Sequence, residues 1–227
     1  MQRILFPVVI GLGGLAILLY LGTWQVQRLG WKQGLLADID ASIVEAPVQM
    51  PASPNSDRDR YLPVTVSGTF TKETPFRMLA SRRQIGAVFR HIAQFETEAG
   101  RRILIDIGWT TSDQSLPALP STYMSLTGNL DWPRESDGFT PEPDLNQGLW
   151  YARDLDEMAK VAGADPILVV LRDMPDTSLG ATPWPVDTAG ISNDHLQYAI
   201  TWFSLAVVWI AMTALFTLRL HRKPNES

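Results

Sequence analysis

Two stretches of this chain carry no charged side chain, Ile4 to Leu21 near one end and Tyr198 to Leu218 near the other. Crossing the hydrocarbon core of a bilayer takes about 20 predominantly apolar residues at 1.5 Å of rise each. Both runs reach that length. The fold class they predict is a membrane protein with two transmembrane α-helices, N-terminal and C-terminal, flanking one β-rich α+β extracytoplasmic domain. The whole-chain averages hide this, because 227 residues with a formal charge of −5 would suit a soluble protein. The predicted division is transmembrane helix 1 over 4–23 and the domain over 24–197, opening with a helical extension over 24–41. Transmembrane helix 2 follows over 198–218 and a cytoplasmic tail over 219–227. The middle is long enough for one domain with its own core.

The first run reads as an uncleaved anchor. It exceeds the roughly 7–15 residues of a signal-peptide core and no small-x-small site follows it. Pro7 falls in the first turns, where a missing N–H costs little. Gly11, Gly14 and Gly22 would let another helix backbone approach closely, and the second run is the obvious partner. Orientation follows from basic residues. Arg219, Arg222 and Lys223 lie beyond the second run, and its other flank, Asp173 to Gln197, has no Lys or Arg. That asymmetry predicts cytoplasmic termini and an outer, periplasmic domain. Setting aside Arg3, Arg219, Arg222 and Lys223 from the 19 basic residues, and Glu226 from the 24 acidic ones, leaves 15 against 23 between the runs. An acidic domain of this kind argues against nucleic acid as a partner, leaving membrane lipid around the helices.

There is no cysteine. Disulfides, a Cys-x-x-Cys redox pair, a thiolate copper site and covalent c-type haem attachment are thereby excluded. The only histidines, His91, His195 and His221, lack the short spacings of a zinc site. No Gly-x-Ser-x-Gly elbow, phosphate-cradling loop or His-Glu-x-x-His is present, so the expectation is a protein that is not an enzyme. The pairs Glu96/Glu98 and Asp154/Asp156 read as solvated surface.

Helical spacing of Trp24, Arg28 and Lys32 persists to about Ala41, and a Pro-rich linker runs to Arg60. Strands are predicted at 61–70, 76–80, 87–95, 101–109, 122–130 and 167–172, with Glu98-Ala99-Gly100 turning one hairpin. Ile103, Ile105 and Ile107 share one face of their strand, and Leu104, Asp106 and Gly108 the other. A helix over 154–162 takes Asp154 as N-cap and Gly163 as its stop. Pro133–Asn146 reads as a loop, and prolines and glycines prevent regular structure over 173–190. The sum is a partly closed barrel or a covered antiparallel sheet.

His91 reads as a hydrogen-bonded sheet histidine sooner than as a ligand. His195 leaves two readings open. Asn193 is a plausible N-cap for the second helix, with Asp194 at the positive end of its dipole. His195 follows in the first turn, with Tyr198, Ala199, Trp202 and Trp209 on or near its face. One reading is an interfacial polar group above an aromatic belt. The other is an imidazole metal ligand over an apolar pocket. At the same depth the first helix offers Trp24 as a planar surface, Gln25 for hydrogen bonding, and Arg28 and Lys32 as cations. That set would suit haem with an isoprenoid tail, its iron on His195, its ring against tryptophan and its propionates on Arg or Lys. Snorkelling is the other account of Arg28 and Lys32, and by itself the commoner one.

Three blocks resemble the surfeit locus protein one family. They are Leu21-Gly22-Thr23-Trp24-Gln25-Val26-Gln27-Arg28 with Lys32, the strand ending Asp106-Ile107-Gly108-Trp109, and Asn193 to Phe203. The second departs from the family's Asn-Arg-Gly-Trp, losing a positive charge, so Gly108 and Trp109 read as structural. The resemblance implies an assembly factor for haem-copper cytochrome c oxidase, respiratory chain complex IV, aiding haem a insertion into subunit I or stabilising it. It implies transiently bound haem a, with His195 as the favoured ligand, and subunit I and other assembly factors as partners. A bacterial plasma membrane is expected, since the N-terminus is not transit-like. An interaction scaffold that binds no haem is the alternative.

Overall fold

The computed structural model describes residues 2–72, 74–173 and 179–222. It divides into a helical unit, made of the chain up to Asp38 and from Thr188 onward, and a β unit, Ile39–Asp187. The first helix, α1, is Gln2–Ile43 and the last, α3, is His195–Arg222. Both contain stretches long and apolar enough to cross a membrane.

Within the helical unit, α1 turns one stripe inward, including Gly11, Gly22 and Gln25, and α3 answers with Ala199 and Ala206. Outside that seam the side chains are large, apolar and exposed, among them Leu5, Phe6, Val9, Val207 and Leu215. The three glycines do what their spacing suggested. A Cβ on Gly11 would lie 2.1 Å from Thr213, one on Gly14 2.6 Å from the Trp209 indole, and one on Gly22 2.7 Å from Phe203. The Trp209 indole N–H donates to the Gly11 carbonyl at 2.8 Å. Small residues on one helix thus seat aromatic ones on the other.

α1 runs to Ile43 without interruption, so the extension expected from residue 24 is part of the same helix. Its terminal carbonyls have no intrahelical partners. Asn129 donates to the Ile43 oxygen at 2.9 Å, and Arg172 reaches both the Ile43 and Glu45 oxygens.

The β unit carries β1 (Val48–Gln49), β2 (Pro63–Phe70), β3 (Phe76–Arg82), β4 (Gly86–Thr97), β5 (Arg102–Thr111), β6 (Met124–Asp131), β7 (Leu149–Trp150) and β8 (Leu168–Leu171). One sheet joins them in the order β1-β2-β6-β8-β5-β4-β3-β7. A further pairing, Gly68–Phe70 against Phe95–Thr97, brings β2 back onto β4. Strands β2, β6, β8, β5 and β4 therefore close a ring, and the barrel alternative holds. The 12 residues of β4 make this possible, because its first half pairs with β3 and its second half with β2.

Alternation along the strands supplies two cores. Ile103, Ile105, Ile107, Val169 and Leu171 join Val64, Phe95 and Leu130 inside the ring. Leu104, Leu168 and Val170 face the other way, onto Leu155, Met158, Ala159 and Ala162 of the short helix α2, Leu155–Ala162. Its caps are as the sequence implied. Asp154 accepts from the Glu157 N–H, and Gly163, at φ 63°, returns its N–H to the last carbonyls.

Buried charge collects on β5. The Asp106 side chain is fully enclosed and paired with Arg90, with Arg153 at 3.9 Å. Arg153 also pairs with Asp131 and Glu135. Burial pushes the Asp106 carboxyl up, against the pull of Arg90, Arg153 and the Gly108 N–H. Burial would raise Glu135 too, but Arg153 outweighs it and the net shift is downward.

Candidate functional site

The segment before α3 is fastened by two polar side chains of α1. Gln25 and Lys32 are seven residues apart and share its inward stripe. The Lys32 ammonium donates to the Ser192 carbonyl, and Ser192 in turn donates to the Asp194 carboxylate. Gln25, buried in the seam, places its Oε1 2.8 Å from Nδ1 of His195. Helical pairing begins at once, with the Tyr198 N–H on the Asp194 carbonyl. Asn193 does not fill the capping role expected of it, because its Oδ1 is buried with no hydrogen-bond partner.

An amide oxygen only accepts, so the ring donates through Nδ1, and in the neutral ring the lone pair is then on Nε2. Histidines that bind metals are commonly held in this way, with one nitrogen fixed by a neighbour and the other free to ligate. No group of three His, Cys, Asp or Glu able to hold a metal ion occurs among the described residues. A lone imidazole suits a metal that arrives with its other ligands attached, as haem iron does. The donor set is compatible with a haem, for which His195 would be the one protein ligand. We expect the ¹⁵N spectrum of His195 to show the Nδ1–H tautomer, and Gln25→Leu to return the ring to the mixture of tautomers seen in unstructured peptides.

The residues singled out beside His195 divide into two groups. Gln25, Lys32 and Ala199 lie in the seam, and Trp202 is half-buried. Trp24 and Tyr198 point outward, 46% and 55% exposed. Arg28 also faces outward, its guanidinium 3.9 Å from the centre of the exposed Trp31 ring. Trp24, Arg28 and Trp31 therefore form a separate aromatic and cationic stripe on α1.

His91 is a sheet histidine. It lies on β4 at the irregularity opposite Gly108, 3% exposed, with Nε2 2.8 Å from Thr110 Oγ1. Burial, with the Arg77 charge nearby, lowers its pKa from 6.5 to about 4. The unfolded chain therefore takes up this proton at higher pH than the folded one. The stabilisation is complete above pH 6.5 and is lost as pH falls from 6.5 towards 4. By linkage the effect is about 3 kcal/mol in all. His91→Gln should flatten the stability profile between pH 7 and pH 4.5, read by amide exchange in β4 and β5.

Fold and site together define a protein whose β-barrel domain is flanked in sequence by long apolar helices, with a fixed imidazole at the head of the second. The SURF1 family matches residues 12–207. Surfeit locus protein 1 of Homo sapiens is 30% identical over 210 residues, covering 82% of this chain and 69% of the human protein. The protein of the same name from Rattus norvegicus is 31% identical over 207 residues, covering 82% and 67%. A SURF1-like protein of Caenorhabditis elegans is 27% identical over 221 residues, covering 85% and 68%. The chain belongs to the SURF1 family.

Proposed function

We propose that this protein is an assembly factor for haem-copper cytochrome c oxidase that holds haem a on His195 for subunit I. It acts as a carrier, without catalysing a reaction. The observation that carries the reading is the Gln25–His195 hydrogen bond, which leaves Nε2 free to ligate. Family membership supports the assembly role. Both apolar helices span the membrane in this reading, in contact with lipid through their exposed apolar sides. In this reading Arg219, Arg222 and Lys223, which follow the second apolar run, keep both termini in the cytoplasm and the barrel in the periplasm of a bacterial inner membrane. Haem a is cargo here. Its propionates would pair with Arg28, and with Lys32 if the lysine gives up Ser192, while Trp24, Tyr198 and Trp202 supply aromatic surface nearby.

The test is an absorption spectrum of the full chain purified from cells that make haem a. A Soret band should be present in the unaltered protein and in His91→Ala, and absent in His195→Ala. Gln25→Leu should weaken haem binding about 10–100-fold, the usual effect of removing a group that orients a metal-binding histidine. No Soret band in any of them, with subunit I still captured, would establish the haem-free scaffold instead.

A further inference from the structure

β3, β4 and β5 border an open cleft of about 480 Å³ in the barrel domain. Its lining is unlike the domain as a whole. Acidic residues predominate between the apolar runs, yet among the described residues no carboxylate lines this cleft. Among the described lining residues the one full charge is the Arg77 guanidinium, which lies over the Phe89 ring at 5.1 Å and has no ion-pair partner among the described residues. A cation with no acid beside it among the described residues selects for an anion.

His91 also lines the cleft. Its Nδ1 is buried and has no hydrogen-bond partner, a costly arrangement of the kind that calls for an explanation. The ring is neutral near pH 7, so it adds no second positive charge beside Arg77. One cation matches a monoanion. Phe89, Leu116 and Pro117 supply an apolar wall that a bare inorganic ion would leave without a partner.

We propose that this cleft binds a carboxylate carried on a small apolar body, with Arg77 taking the carboxylate and Phe89, Leu116 and Pro117 the apolar part. A free short-chain acid and the C-terminal end of a peptide share this chemistry. The site is independent of haem binding, so either inference can fail without the other.

The test uses the full chain in non-ionic detergent with ¹⁵N-labelled histidine. Butyrate, butanol, inorganic phosphate and N-acetyl-alanyl-leucine are titrated separately while the His91 ring nitrogens are followed. Both carboxylates should produce saturable shifts, with butanol and phosphate at least tenfold weaker. Arg77 is exposed, so Arg77→Gln should leave the amide spectrum of the barrel intact while weakening carboxylate binding about tenfold or more. Arg77→Lys should recover part of it, because it keeps the charge but not the fork. Tighter binding of the dipeptide than of butyrate assigns the natural ligand to a chain end, and equal binding assigns it to a free acid. Absence of a saturable shift with either carboxylate overturns the proposal. So does undiminished binding in Arg77→Gln, or equal binding of butanol.

Discussion

Arg90→Met is expected to destabilise the barrel by about 3–5 kcal/mol, the usual cost of removing one partner from a buried ion pair. Arg90 is nearly buried and Asp106 wholly so. The guanidinium also donates to the Trp184 carbonyl at 3.1 Å and lies over that indole. Methionine fills much of the space but leaves a carboxylate with only a distant Arg153 and the Gly108 N–H. Lowering the pH should reduce the loss, because a protonated Asp106 no longer needs a cation. The double variant Arg90→Met/Asp106→Asn should recover most of the stability. Asparagine still accepts from Gly108, and Arg153 keeps Asp131 and Glu135. Amide exchange in β4 and β5 of the full chain measures all three effects. A single variant as stable as the parent would mean that Asp106 is already neutral in the fold.

This network shows why only part of the molecule was legible in the amino-acid order. Elements specified by their own residues could be read. Two charge-free runs marked α1 and α3, the period-two isoleucines of β5 marked the best hairpin, and Asp154 with Gly163 bounded α2 to within a residue. Elements that depend on a distant partner could not. β1 and β7 are two-residue pairings inside stretches that look like loops, held by Val64–Thr65 and by Arg77–Met78. Asp106, Asp131, Glu135 and Arg153 are spread along the chain, and nothing local brings them together. The candidate site was legible to the same extent. Helical spacing placed His195 in the first turn of α3 and put Trp24, Gln25, Arg28 and Lys32 at the matching depth of α1. It could not separate Gln25 and Lys32 from Trp24 and Arg28, because the seam follows from which glycines meet which aromatics of α3.

Gly108→Ala is expected to cost at least about 3 kcal/mol through two effects that can be measured apart. The first is backbone strain. Gly108 has φ 108°, where a side chain costs of order 1–3 kcal/mol. The second is collision, because a Cβ there would lie 2.0 Å from the Thr182 carbonyl oxygen and 2.6 Å from its carbon. Those atoms are backbone and cannot rotate away. Trp109 and Thr182 exchange two N–H···O bonds of 2.8 Å, so relieving the clash pulls that bridge apart. The displaced segment carries Trp184, whose ring stacks on both Arg82 and Arg90. Gly86→Ala isolates the first effect, since Gly86 has φ 93° and open space where its Cβ would go. It should cost about 1–2 kcal/mol, leaving the bridge amides of Trp109 and Thr182 protected. Gly108→Ala should make both exchange freely. Because Trp184 links the two sites, the Gly108 and Arg90 substitutions should be less than additive when combined. Strict additivity would show that the Thr182–Trp184 segment does not transmit the loss from one to the other.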